Sequence, residues 1–174
     1  MLGVRAEVLS YIGRDGRIFF ERFKKQGIGY RYVPVSKKYG TAAAYIMTDR
    51  DDNQISGFYP GPTQEKIMLP RPGKRDMAII AAENAPNMTR LARHYQRLKF
   101  HYIFDPGQQV IAFSKKDLAS CVRGASLVIG NDYEMDYLVK SLRGVRPKRT
   151  TKQSIGNGIA ALPHHKLGVA RNDT

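Results

Sequence analysis

Two segments of this chain end alike, and together they constrain its fold more than any other feature. Lys99 to Gln108 is an apolar run broken by Asp105-Pro106-Gly107. Ala125 to Glu134 repeats the plan, a short apolar run broken by Asn131 and Glu134. Between them, Ser114-Lys-Lys-Asp117 resembles a capping box, with Asp where Glu or Gln is usual, and opens a helix through Val122. Two buried strands with a helix between them, each delivering polar residues at its carboxyl end, build the ligand crevice of an open α/β sheet.

The surrounding sequence extends this plan. Met77-Ala-Ile-Ile80 reads as a short buried strand. Pro86 fits a first helical turn, where its missing N–H costs nothing. Met88, Leu91, Ala92, Tyr95 and Leu98 then recur at helical spacing. Strands follow at 100–104 and 126–129, and a helix from about Asp132 to Leu142. Strand and helix alternate from 76 to 142, which predicts an α/β fold with a parallel sheet covered by helices.

Upstream the chain is richer in β-structure. Residues 15–26 read as a helix, with Asp15 as N-cap, Ile18, Phe19 and Phe23 as its apolar face, and Gly27 as its stop. Tyr30 to Val35 reads as a strand. Thr41 to Thr48 and Gln54 to Tyr59 are the arms of a hairpin. Asp49-Arg-Asp-Asp-Asn53 supplies its turn chemistry, and Pro60-Gly61-Pro62 ends it. This hairpin looks like an appendage to the sheet.

The net charge is +14 over 174 residues. Residues 143–174 hold seven Lys/Arg and one Asp, and the remaining +8 is spread along the chain. Neither helical nor strand period survives there, so 145–174 reads as a solvated basic tail. Non-specific binding of phosphate backbones is the competing use of such a run. No apolar run approaches the ~20 residues that span a bilayer. The single cysteine, Cys121, sits in a helical pattern and reads as a buried, inert thiol. These features together predict a cytoplasmic protein.

Asn131 and Glu134, one helical turn apart at a strand's carboxyl end, support two readings. They can order the water shell of magnesium near a phosphate, or they can form a capping box. Asp105-Pro106-Gly107 is likewise a turn signal that can line a crevice. Gln54 is either solvated or ligand-binding. The chain contains neither G-x-x-x-x-G-K-[ST] nor G-x-G-x-x-G, so Walker-type and Rossmann phosphate loops are excluded. His94 and His101 lack partners at metal-ligand spacing.

Four motifs, in order, resemble the ribokinase/PfkB family of carbohydrate and nucleoside kinases. The hairpin Thr41–Asp49, with Asp52-Asn-Gln-Ile55 and Phe58-Tyr-Pro-Gly61, looks like the family's lid. Its Asp-Asn-Gln-Ile and Phe-x-Pro-Gly strings resemble the bacterial adenosine-kinase-like branch, as does Tyr102-Ile-Phe-Asp-Pro-Gly-Gln108. Asn131-Asp-Tyr-Glu134 matches the family's N-x-x-E motif. Gly13-Arg-Asp-Gly16 resembles its G-x-D-x-x-G region, with Gly16 out of register.

The resemblance implies a partial ribokinase-like three-layer sandwich over residues 1–144, with a β-hairpin lid at about 30–61 and an unrelated tail at 145–174. It implies ATP and magnesium as cofactors and a sugar or nucleoside as acceptor. Asn131 and Glu134 would associate with phosphate and magnesium. Tyr45, Asn53, Gln54, Phe58 and Asp105 would serve the substrate or the lid. No direct metal ligand is expected.

The departures are specific. The family's di-glycine substrate segment has no match, nor does its Gly-Ala-Gly-Asp motif, which supplies the anion hole and the catalytic base. Pro62 replaces the usual Ala at the end of the lid. The expectation is therefore a kinase fold, adenosine-kinase-like, that is inactive as it stands, with no catalytic residue to assign. A complementing chain or a lid-mediated dimer is the expected partner. A basic nucleic-acid-binding protein, or a kinase half completed by another chain, is the alternative reading.

Overall fold

A computed structural model describes residues 4–143. The chain divides between Pro72 and Gly73 into two compact units.

In the first unit, strand β1 (Glu7–Leu9) leads through helix α1 (Arg17–Gln26) to strand β2 (Gly29–Tyr32), which pairs with β1 in parallel. An isolated parallel bridge between Ile12 and Val35 continues that alignment. The strand expected over 30–35 is thus interrupted. Val33 turns back to bond the carbonyl of Tyr30, and Pro34 has no N–H to offer a ladder.

Helix α1 starts later than its sequence suggests. Its N-cap is Gly16, which makes no side-chain cap bond. Asp15 does not cap it, because its carboxylate is committed to Thr41. The expected apolar face is also corrected. Ile18 and Phe19 are exposed, whereas Phe20 and Phe23 pack on Tyr30, with ring centroids 5.2 and 6.1 Å away. Gly27 does end the helix, at φ 68°, and its amide bonds the carbonyl of Lys24.

The hairpin forms as read. Strands β3 (Ala43–Thr48) and β4 (Gln54–Tyr59) pair antiparallel in full register from Ala43–Tyr59 to Thr48–Gln54. They form a separate two-stranded sheet, hydrogen-bonded to no other described strand. Asp49 builds the turn by accepting from the amides of Asp51 (2.8 Å) and Asn53 (2.9 Å). Asp52 takes the left-handed position at φ 60°. Past β4 the chain makes a 3₁₀ turn over Gly61–Gln64.

The second unit carries the strand–helix series. Strands β5 (Ala78–Ile80), β6 (Tyr102–Phe104) and β7 (Leu127–Val128) pair in parallel in that order. Helix α2 (Ala85–Arg97) links the first two and α3 (Lys115–Gly124) the last two; α4 (Asp132–Leu142) follows β7. Ile80, Tyr102 and Phe104 are buried together with Met88, Leu91, Ala92 and Tyr95 of α2 and Leu118, Ala119 and Cys121 of α3. Leu98, read as part of the α2 face, is exposed because it caps the helix end.

Tyr102 ties the layers together. Its hydroxyl donates to the carbonyl of Cys121 at 2.6 Å and accepts from Nε2 of Gln96 at 2.9 Å. The expected start of α3 holds in half. Ser114 Oγ accepts from the amide of Asp117, but the Asp117 carboxylate bonds the Ser114 hydroxyl instead of its backbone N–H. Asp is one methylene shorter than the Glu of a full box. The segment 145–174 lies outside the described residues.

Candidate active site

All three strands of the second unit end at one edge. At β6 the amide of Asp105 bonds the carbonyl of Ile80 at 2.9 Å, so the ladder holds Asp105 directly beside the end of β5. Pro106 behind it is buried. Gly107 turns the chain at φ 50°, where a Cβ would stand 3.0 Å from that of Ala82. Glycine satisfies both the backbone conformation and the close approach.

At β7 the amide of Ile129 bonds the carbonyl of Phe104 at 3.0 Å, and Gly130 and Asn131 follow. Asn131 and Glu134 then close a complete capping box. Asn131 Oδ1 accepts from the amide of Glu134 at 2.9 Å, and Glu134 Oε2 accepts from the amide of Asn131 at 3.0 Å. Gly130 leaves room for this: a Cβ there would lie 3.1 Å from Glu134 Oε2. Asp105 and Asn131 therefore follow the carboxyl ends of neighbouring parallel strands, as their sequence pattern predicts.

A third carboxylate shares the edge, and motif reading missed it. Glu83 lies three residues past β5, half-buried, and accepts from the amide of Asn84 at 3.2 Å. Burial pushes its carboxyl above the ordinary range, against the opposing hydrogen bonds from Asn84 and Asn87. The signal in the sequence is slight, a lone Glu ahead of Asn84, which is the N-cap of α2 and accepts from the amide of Asn87 at 2.8 Å.

The arrangement fits magnesium only through water. Among the described residues no group of three or more His, Cys, Asp or Glu could hold a metal ion directly. Oε2 of Glu134 and Oδ1 of Asn131 are engaged in the cap, which leaves Oε1 and spare lone pairs for water-mediated contacts. Magnesium keeps several waters and is commonly bound through one or two carboxylates.

The lid candidates divide by register. Tyr45 stands opposite Gly57, and Phe58 opposite Ala44, so the two rings lie on opposite faces of the hairpin. Gln54 shares the face of Phe58, by alternation along β4. Asn53 is occupied in the turn. Its amide and Nδ2 both donate to Asp49, and these bonds hold the Asp49 carboxyl below its ordinary range. Tyr45 and Phe58 are 68% and 64% exposed.

A parallel sheet with helical crossovers and acidic residues at its carboxyl edge, plus an antiparallel hairpin, describes a ribokinase-like fold. The family model for "pfkB family carbohydrate kinase" matches residues 1–169, so this chain belongs to that family. The match runs past Gly144, where the motif resemblance stops.

A nucleoside kinase of Methanothermobacter thermautotrophicus is 29% identical over 177 residues, covering 96% of this chain and 55% of the relative. The nucleoside kinase of Burkholderia thailandensis in complex with inosine superposes with a TM-score of 0.72 at 28% identity, covering 80% of this chain and 47% of that one. The nucleoside kinase of Methanocaldococcus jannaschii, an archaeal member of the ribokinase family, superposes at 0.73 and 26% identity, covering 81% and 48%. The chain thus spans about half the length of these relatives.

Proposed function

We propose that this chain carries part of the machinery of an adenosine-kinase-like nucleoside kinase, the lid and the magnesium–phosphate edge, and works in the cytoplasm. The observation that carries the reading is the placement of Asp105 and the Asn131–Glu134 box just past the ends of the neighbouring parallel strands β6 and β7. The relatives support a nucleoside acceptor, since one is solved with inosine and again with ADP-inosine.

In the complete reaction the γ-phosphoryl of ATP passes to a hydroxyl of the nucleoside. Such transfer depends on positioning, charge stabilisation and a group that receives the hydroxyl proton. Magnesium, when bound, would neutralise phosphate charge. Asn131 and Glu134 would hold its water shell, and Asp105 would line the crevice beside them. Gln54 and Phe58, on one face of the hairpin, and Tyr45 on the other, would act in the lid.

Within these 174 residues no Gly-Ala-Gly-Asp motif supplies the anion hole or the base. Loss of preorganised oxyanion donors costs roughly a hundredfold or more in rate, and loss of a positioned base on the order of another hundredfold. These 174 residues assayed alone are therefore expected to be inactive, and the base and anion hole would have to come from residues outside them, such as those of a complementing chain. The test is a coupled assay with purified protein, magnesium, ATP and adenosine or inosine. No turnover above background is expected. Turnover that Glu134→Gln weakens would overturn the inactive reading and assign the proton to a residue of this chain, Asp105 first.

A further inference from the structure

Within the described residues of the first unit, the hairpin is anchored at its root. Every residue from Ala44 to Pro60 is exposed. A two-stranded hairpin has little stability of its own, so its direction depends on what grips Gly40–Ala42 and Gly61. Asp15 Oδ1 accepts from the amide of Thr41 at 2.7 Å and from its hydroxyl at 2.6 Å. The same hydroxyl accepts from the amide of Gly13 at 3.0 Å. The amide of Arg14 bonds the carbonyl of Tyr39 at 3.1 Å. Gly13 sits so close to Gly40 and Thr41 that no Cβ fits between them.

The second arm is locked to the first. Gly61, at φ 53°, would place a Cβ 2.6 Å from the amide nitrogen of Ala42 and 2.7 Å from the carbonyl oxygen of Gly40. Both arms therefore converge on the Gly13–Asp15 loop, 26 residues ahead of Thr41.

We propose that Asp15 is a positioning residue for the hairpin: through the Thr41 amide and hydroxyl it sets the angle at which the lid leaves the β1–β2 unit. The proposal rests on reading the hairpin as a lid. The hydrogen-bonded carboxylate favours its charged form, and the Thr41 bonds hold its pKa below the ordinary value. Each bond is worth little alone, but the hydroxyl links Asp15 to Gly13, so removing it loosens two partners at once.

The test is backbone ¹⁵N relaxation on the full chain and on Thr41→Val, Thr41→Ser and Asp15→Ala. Thr41→Val keeps the shape and deletes the hydroxyl. Order parameters of residues 44–59 are expected to fall from about 0.85 toward about 0.6, with β1, α1 and β2 unchanged. Thr41→Ser, which keeps the hydroxyl, should retain the wild-type values. Unchanged hairpin values in Thr41→Val, or an equal fall across the whole first unit, would overturn the clamp. If Asp15→Ala does not fold, the Val and Ser pair still decides. Repeating the measurement with inosine tests the lid reading separately. A Thr41→Val effect upholds the clamp whatever inosine does; a change of the hairpin values with inosine supports the lid, and no change counts against nucleoside contact by the hairpin in these 174 residues.

Discussion

Asn131 and Glu134 hold each other at the start of α4 through two reciprocal hydrogen bonds, 2.9 and 3.0 Å long. The cap and the proposed magnesium role use different oxygens of Glu134, so substitutions separate them. Asn131→Ala removes an N-cap acceptor and should cost about 1 kcal/mol of stability. Glu134→Gln keeps an oxygen to accept from the Asn131 amide and should cost less. It should nevertheless weaken any magnesium-dependent ATP binding by more than Asn131→Ala weakens it per unit of lost stability. Urea unfolding and calorimetric titration with ATP, with and without magnesium, check both parts.

Adjacent residues of β5 should respond in opposite ways. Ile80 is 1% exposed and packs beneath the helices, whereas Ile79 is 63% exposed on the other face. That second face carries Ile79, Ile103 and Leu127 in register. Ile80→Ala should cost about 2–5 kcal/mol. Ile79→Lys should stay within about 0.5 kcal/mol of the parent, and it should raise solubility by breaking an apolar row. Denaturation midpoints and light scattering of the two variants are the measurements.

Tyr102→Phe deletes the hydroxyl that joins Gln96 to the Cys121 carbonyl. Gln96 retains a bond to the Ser120 carbonyl at 2.9 Å, but the Cys121 carbonyl loses its partner in a buried setting. The expected loss is about 1–3 kcal/mol. A change below about 0.3 kcal/mol would show that water replaces the phenol without penalty.

Cys121 should be silent toward thiol reagents in the folded protein. Burial pushes its thiol up to about 11, against the Thr89 hydrogen bond that lowers it. The unfolded chain has a thiol pKa near 8.5. The folded state therefore holds its proton longer, and stability from this group is full below about 8.5 and falls as pH rises toward about 11. A Cys121→Ala variant, compared across that window by urea unfolding, should lose the part of the alkaline slope that begins at about 8.5, while the buried phenol of Tyr102, raised in the same direction, keeps its share at higher pH. Labelling with an aromatic disulfide reagent at pH 8 should appear only when urea is added.

The strand–helix series from 76 to 142 was legible because its determinants are local. Strand ends carry turn residues, Ser114 and Asn131 announce helix starts, and Met88, Leu91, Ala92 and Tyr95 recur at the helical period. The hairpin was legible for the same reason, since Asp49 bonds residues only two and four positions on. The family resemblance was likewise carried by contiguous strings.

What local pattern does not encode was decided by the tertiary structure. Asp15 reads as an N-cap because its neighbours are those of a cap, yet its partner is Thr41, which only the return of the chain brings near. Glu83 is an isolated acid in the sequence. It joins Asp105 and Glu134 at one edge because parallel pairing aligns the three strand ends. Phe23 shares a helix face with Phe19 as well as with Phe20 at three- to four-residue spacing, and the position of Tyr30 selects Phe20 and Phe23 as the packed pair. Periodicity depends on neighbours within about a turn. A hydrogen bond or a packed face depends on which distant segment the fold sets opposite, and the entropy lost in closing that loop is repaid only once the whole contact forms.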